Sequence, residues 1–147
     1  MNASDEVEVR LLGRGEIAVL ERVAADVFDQ PIDPRWAGEF FADSRHHLAV
    51  ALRAGEVVGM ASALHYVHPD KPPTLWVNEV GVSAALQRRG IGRRLVQTLL
   101  AHARELGCVE AWVGTELDNA AARGLYASLG GQEAAMVMVA LPLDRAG

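Results

Sequence analysis

The chain switches repeatedly between a period of two and a period near 3.6 in its apolar positions. "VEVRLL" (7–12) alternates and predicts a first strand; from Gly15 to Phe28 the apolar residues Ile17, Leu20, Val23, Ala24, Val27 and Phe28 fall at helical spacing, which predicts a helix. A second, short helix is expected behind Pro34, with Trp36, Phe40 and Phe41 on one side, because proline suits the first helical turn. Residues 46–67 read as two strands meeting at Ala54-Gly55, a hairpin signal. "HPDKPP" (68–73) reads as a loop, "TLWVNEVGVS" (74–83) as a strand and residues 90–106 as a helix ended by Gly107. "VEAWVGT" (109–115) predicts a strand, residues 119–128 a helix and "AMVMVALPL" (135–143) a last strand. The order βααβββαβαβ predicts one layered α/β or α+β domain over residues 1–147, with no linker to divide it.

Composition narrows the class of protein. A length of 147 residues is near the commonest domain size of about 100–150 residues. With 50% hydrophobic and 22% charged residues, the chain is too apolar for a disordered one. "MNASDEVEVR" lacks the basic and apolar character of a secretory signal, and no apolar run approaches the ~18 residues of a membrane span. A cytoplasmic location without a membrane partner is therefore expected. The single cysteine, Cys108, excludes an internal disulfide and a Cys-rich zinc site. A net charge of -5 argues against a nucleic-acid partner and suits a cationic small-molecule substrate.

One stretch runs against that charge. "LQRRGIGRRL" (86–95) packs glycines and arginines between the strand that ends with Val80 and Val82 and a helix striped by Ile91, Leu95, Leu99, Ala103 and Leu106. Glycines at a first helical turn let an anion approach free N–H groups at the positive helix end. Arg88, Arg89, Arg93 and Arg94 would surround such an anion with charge. The alternative is a basic surface helix whose glycines serve only the turn. The phosphate loop's Lys-Ser/Thr pair is absent, as is the third glycine of the dinucleotide fingerprint.

"VGVSAALQRRGIGRRLVQTLLAHA" (80–103) resembles the acetyl-CoA motif of the GNAT N-acetyltransferase superfamily, Gln/Arg-x-x-Gly-x-Gly/Ala after a strand. Here the motif reads Gln87-Arg88-Arg89-Gly90-Ile91-Gly92. "NAAARGLYASLG" (119–130) is similar to that superfamily's Asn-x-x-Ala-x-x-Leu-Tyr-x-x-Leu-Gly segment, and the resemblance covers nearly the whole chain. It implies a mixed, mostly antiparallel sheet, splayed at the cofactor strand, with helices on both faces. It also implies acetyl-CoA as cofactor, its diphosphate on the amides of Arg89 to Arg93. The pantetheine arm would run along Val80 to Val82, with Asn119 and Tyr126 beside the thiol.

Acetyl transfer to an amine needs a base for the ammonium proton and an acid for the departing thiolate. Glu79, next to Val80, is the candidate base; otherwise it is a solvent-facing strand carboxylate. Tyr126 is the candidate acid, or else a residue that caps the core beside Leu125 and Leu129. Asn119 can cap its helix whether or not it touches the cofactor. Cys108 opens a strand with no neighbouring histidine and reads as an inert core thiol, so transfer is expected to be direct. His46, His47, His65 and His68 lack a third acidic ligand by pattern, and no metal is expected. His65 and His68 are expected beside the acceptor cleft. Trp36, Trp76 and Trp112 read as core or cleft wall.

Within the superfamily, the segments around Glu79 and Asn119 resemble the smaller, GNAT-type aminoglycoside 3-N-acetyltransferases, in which an aspartate stands at the position of Glu79. The resemblance implies the 3-amino group of an aminoglycoside as acceptor, and antibiotic resistance as the outcome. Glu79, Glu116 and Asp118, with Asp70, would line a cleft that concentrates a polycation. Two alternatives stay open: another amine, such as a polyamine, an amino acid or a protein N-terminus, and a noncatalytic acetyl-CoA sensor. The apolar last strand is suited to pairing in a homodimer.

Overall fold

The computed structural model describes residues 6–144. Its strands are β1 (Glu8–Leu11), β2 (His46–Arg53), β3 (Glu56–His68), β4 (Lys71–Val82) and β5 (Ala111–Val113), and its helices are α1 (Pro34–Ala42), α2 (Ile91–Glu105) and α3 (Ala120–Ser128). The five strands lie side by side in chain order; β1 to β4 pair antiparallel and β5 joins β4 parallel. This is the mixed, mostly antiparallel sheet implied by the resemblance.

Local chemistry sets most of the boundaries. Ala54 and Gly55 adopt φ of 50° and 78° in the two-residue turn between Arg53 and Glu56, the twist that a tight hairpin requires. Pro34 opens α1, and the Asp33 carboxylate accepts from the N–H groups of Arg35 and Trp36, a cap worth about 1 kcal/mol. The α2 side of the sheet is built from Ala49, Ala51, Ala61 and Ala63, over which Ile91, Leu95, Leu99 and Ala103 pack. Small side chains there let the helix sit close: a Cβ on Gly59 would stand 3.3 Å from Leu95 Cδ1. The opposite side buries Leu48, Val50, Val57 and Met60 under Leu20, Val27, Phe28, Phe40 and Phe41. Among the described residues no helix is long and apolar enough to cross a membrane.

Three expectations are corrected. The segment 15–28 forms only a 3-10 turn at Ile17–Glu21, because Arg22 O accepts from Val57 N and Ala24 N donates to Val57 O, both at 2.9 Å. That attachment to β3 stretches the chain into a strap, which packs Leu20, Val23, Ala24, Val27 and Phe28 on the sheet without a helix and leaves Ile17 exposed. "HPDKPP" is not a free loop: β3 and β4 pair as far as His68 and Lys71, and Pro72 and Pro73 sit where the register is irregular, the place in a sheet that tolerates a missing donor. Residues 135–143 form no strand, and every one is exposed.

Candidate active site

The cofactor strand carries a bulge. Ala63 faces Val77 and Ser62 faces Glu79, so Asn78 is an extra residue on β4. An extra residue shifts the two-residue period by one. Leu75 and Val77 face α2 before the bulge, and Val80 and Val82 face it afterwards. Asn78 and Glu79 are both left on the other side, at the floor of a cleft of about 1060 Å³ walled by Leu20, Phe28, Ile32, Trp36, Phe40 and Phe41. Sequence reasoning missed this bulge, although the three-residue step from Val77 to Val80 in "TLWVNEVGVS" announces it.

Beyond the bulge the outer edge of β4 is open, since β5 pairs only with Leu75 to Val77. Ser83 N bonds inward to Val58 O at 2.8 Å. Backbone groups alternate between strand edges, so those of Val82 and Val80 point to the open side. The Gln87 side chain donates to Val82 O at 3.1 Å. Past it, among the described residues, no backbone N–H from Arg88 to Arg93 donates a hydrogen bond. Arg88 and Gly90 have φ of 66° and 76°, left-handed turns that gather amides into an anion-binding concavity. For Arg88 such a φ is uncommon and strained.

The arginines divide. Arg93 holds Ser128 through Oγ at 3.2 Å and O at 3.4 Å, and Arg94 reaches Val7 O at 3.2 Å. They tie α2 to α3 and to the residue before β1 instead of ringing the anion site as expected. Arg88 and Arg89 are exposed and make no such bonds. Ile91 is buried, so it offers the site only its amide. Gly92 is small for packing: its Cβ would lie 3.0 Å from Leu125 Cδ1, with Val82 and Val80 within 4.0 Å.

Among the residues expected beside the thiol, Asn119 caps α3 by accepting from Ala122 N at 3.0 Å. Tyr126 is half-buried on α3, and burial pushes its phenol up, which keeps it protonated at neutral pH. Glu116 and Asp118 are exposed in the turn before α3 and are not among the residues that line the cleft of Glu79. Asp70 pairs with Lys71 at 2.9 Å on the β3–β4 tip. The carboxylates that join Glu79 are instead Asp29 and Asp33, from the turn-rich stretch that leads into α1.

The histidines are also elsewhere. His65 Nδ1 lies 2.7 Å from His47 Nε2, and the His47 ring meets His102 of α2 at 4.7 Å. These rings lie on the α2 side of the sheet, so His65 is not beside the acceptor cleft. His68 is exposed near the β3–β4 tip, edge-on to Tyr66. Among the described residues, no group of three or more His, Cys, Asp and Glu is placed to hold a metal ion. Burial raises the Cys108 thiol, which disfavours a nucleophilic thiolate.

Asp26 is a further residue that sequence reasoning passed over. Its carboxylate accepts from Ser83 Oγ at 2.9 Å and Ala84 N at 2.8 Å, and the Ala84 N–H followed by the Ser83 hydroxyl lowers its pKa. It fastens the strap to the turn that leads from β4 into the Arg88–Arg93 amides. Val27 O, next in the strap, lies 2.4 Å from where a Cβ on Gly81 would stand, so only glycine lets the strap cross β4 there.

Residues 17–130 match the model of the family described as Acetyltransferase (GNAT) family. The N-alpha-acetyltransferase RimI of Mycobacterium tuberculosis is 34% identical over 131 residues, 88% of this chain and 80% of that protein. An aminoglycoside acetyltransferase from an uncultured soil metagenomic sample has a TM-score of 0.81 at 20% identity, over 95% of this chain and 99% of the other. AAC(6')-Iy, in complex with the bisubstrate analogue CoA-S-monomethyl-acetylneamine, has a TM-score of 0.77 at 17% identity, over 95% and 100%. At such identities the two structures speak to the fold, while the family match and the relative speak to the chemistry. The chain belongs to the GNAT acetyltransferase family, an acetyl-CoA-dependent N-acetyltransferase by fold, motif and descent.

Proposed function

We propose that the acceptor is the α-amine of a polypeptide N-terminus, seated in the cleft between the β4 bulge and α1. The observation that carries this reading is the lining: Asn78, Ser62 and Glu79 lie on a floor enclosed by Phe28, Ile32, Trp36, Phe40 and Phe41. Such a cleft suits one ammonium group beside an apolar side chain. It offers few carboxylates to a polycation, because Asp33 is already engaged as the cap of α1. Kinship with a protein named as an N-alpha-acetyltransferase supports the same class.

Acetyl-CoA supplies the thioester whose acetyl group passes to the amine. The Arg88 to Arg93 amides fit its diphosphate, with the Arg88 and Arg89 guanidiniums for charge, and the outward backbone groups of Val80 and Val82 fit an amide-bearing arm. Gln87, engaged with Val82 O, steadies that edge. Glu79 takes the ammonium proton, freeing the lone pair that forms the new N–C bond. As the C–S bond breaks, Tyr126 Oη would give its proton to the sulfur, and the second proton of the acetylated nitrogen would restore the phenol. Asn119 holds the start of the helix that carries Tyr126.

A second reading, the 3-amino group of an aminoglycoside, is favoured by the net charge of -5 and by Asp29 beside Glu79 in the cleft. Thiol release from acetyl-CoA over a panel of acceptors separates the two. Peptides with a free N-terminus are expected to turn over, and the same peptides already N-acetylated are not. Turnover confined to aminoglycosides, and lost in one lacking the 3-amino group, would replace the peptide reading with the second. Acetyl-CoA binding without turnover on any amine would contradict both.

A further inference from the structure

After β4 the backbone enters a short 3-10 helix, Ala84–Leu86, with Ser83 at its cap position. Ser83 leaves that helix uncapped: its hydroxyl makes no cap hydrogen bond and donates to Asp26 instead. The second Asp26 oxygen accepts from Ala84 N at 2.8 Å, one of the amides that a helix start leaves without a partner. Asp26 thus caps the turn from a segment 58 positions away. Its own place is fixed from beneath, since Val27 is buried, Val27 N donates to Ala24 O at 3.2 Å, and Ala24 N donates to Val57 O at 2.9 Å.

The backbone that follows is strained. Arg88 holds φ of 66°, and a residue other than glycine keeps such a conformation only where its surroundings over-determine it. On the α2 side the support is the buried Ile91 and the helix it opens. On the β4 side it is the buried Leu86, the Gln87 bond to Val82 O, and Asp26. Leu86 and Gln87 hold the turn through their own side chains, whereas Asp26 holds its backbone from outside.

We propose that Asp26 is a positioning residue for acetyl-CoA: by capping Ala84–Leu86 from the strap, it keeps the strained turn and the unpaired Arg88 to Arg93 amides in their anion-receiving form before the cofactor arrives. This role rests on those amides taking the diphosphate and is independent of which amine is the acceptor. Simple electrostatics gives the opposite sign, because a carboxylate beside the turn repels a diphosphate and its removal would tighten binding. Calorimetric titration with acetyl-CoA, on proteins whose urea unfolding stays cooperative, reads that sign. Asp26→Ala is expected to weaken binding ~3- to 30-fold, the span of a lost cap. Asp26→Asn should restore it to within about twofold of the parent, because the amide caps as well as the carboxylate. Ser83→Ala should weaken binding in the same direction by less, and it reads the contact should Asp26→Ala lose cooperative unfolding. Asp43→Ala, which removes a carboxylate bonded in a similar way to Arg45 N and the Arg45 guanidinium, should bind as the parent does. Unchanged or tighter binding by Asp26→Ala, an Asp26→Asn protein as weak as Asp26→Ala, or an equal loss in Asp43→Ala would overturn the positioning role. Gly90→Asp in the same titration separates the two ways of failing. If it binds as the parent does, the diphosphate lies elsewhere; if it weakens while Asp26→Ala does not, the role of Asp26 alone falls.

Discussion

Gly90 and Gly92 stand two residues apart and are glycine for different reasons. Gly90 needs its φ of 76° and faces open space, whereas a side chain on Gly92 would press on Leu125. A charge placed at Gly92 would therefore disturb packing and anion binding together; Gly90 separates them. Asn and Asp both tolerate the left-handed conformation and differ only in charge, so Gly90→Asn should bind acetyl-CoA nearly as the parent does. Gly90→Asp should bind ~10- to 100-fold more weakly, the order expected of one repulsive charge a few ångströms from the diphosphate. Calorimetric titration reads the difference, and equal affinities would remove the diphosphate from this helix start. Glu79→Gln should lower turnover ~10²- to 10⁴-fold with acetyl-CoA affinity little changed. Retained turnover would assign the base to another group. Glu79 and the Gln87–Gly92 motif were legible in the sequence because they are contiguous with the cofactor strand. Asp26 was not, since its partners Ser83 and Ala84 lie 57 and 58 positions away.

Elements with a strong period were legible, and those shaped by distant partners were not. α2 runs from Ile91 to Glu105, close to its expected bounds, because an apolar stripe and flanking glycines define it locally. The segment 15–28 shares that helical spacing, yet Arg22 and Ala24 bond to Val57 of β3, and tertiary pairing overrides propensity there. The strap contributes Asp29 to the cleft lining, a residue that the resemblance, centred on the segments around Glu79 and Asn119, did not point to. Register likewise hid the grouping of His47, His65 and His102, which come from β2, β3 and α2. His47 is buried, and desolvation, then the charges of His102, His65 and His46, push its pKa down to about 4 from 6.5. The folded state thus keeps His47 neutral at a pH where the unfolded chain protonates it. Stability is full above about pH 6.5, falls as pH drops toward about 4, and then levels. The loss attributable to this ring is at most ~3 kcal/mol. Urea unfolding at about pH 7 and about pH 5 should show the decline in the parent and a smaller one in His47→Gln. Equal declines would place the proton elsewhere.

At the scale of the molecule, an acidic chain places two exposed arginines, Arg88 and Arg89, at the mouth of a site built from backbone. The proposed acceptor cleft lies on the other face of the sheet, and the bulge at Asn78 turns Glu79 toward it without breaking β4. This division was only half visible in the sequence: the cofactor side is a short contiguous motif, while the acceptor side is assembled from the strap, α1 and β4, far apart in the chain. Trp36 forms part of the cleft wall, is 55% exposed and carries Arg35 4.5 Å above its ring, so it can be changed without opening a core. In the proposed reaction one site brings acetyl-CoA and a peptidyl amine together across the bulge. Its most direct test is the affinity of a conjugate in which coenzyme A is joined through an acetyl linker to the α-amine of a short apolar peptide, compared with coenzyme A alone. The conjugate should bind at least ~100-fold more tightly, as ligands spanning both halves of a reaction do, and Trp36→Asp should remove most of that gain while leaving coenzyme A affinity intact. A conjugate that binds no better than coenzyme A, or a gain untouched by Trp36→Asp, would contradict the account.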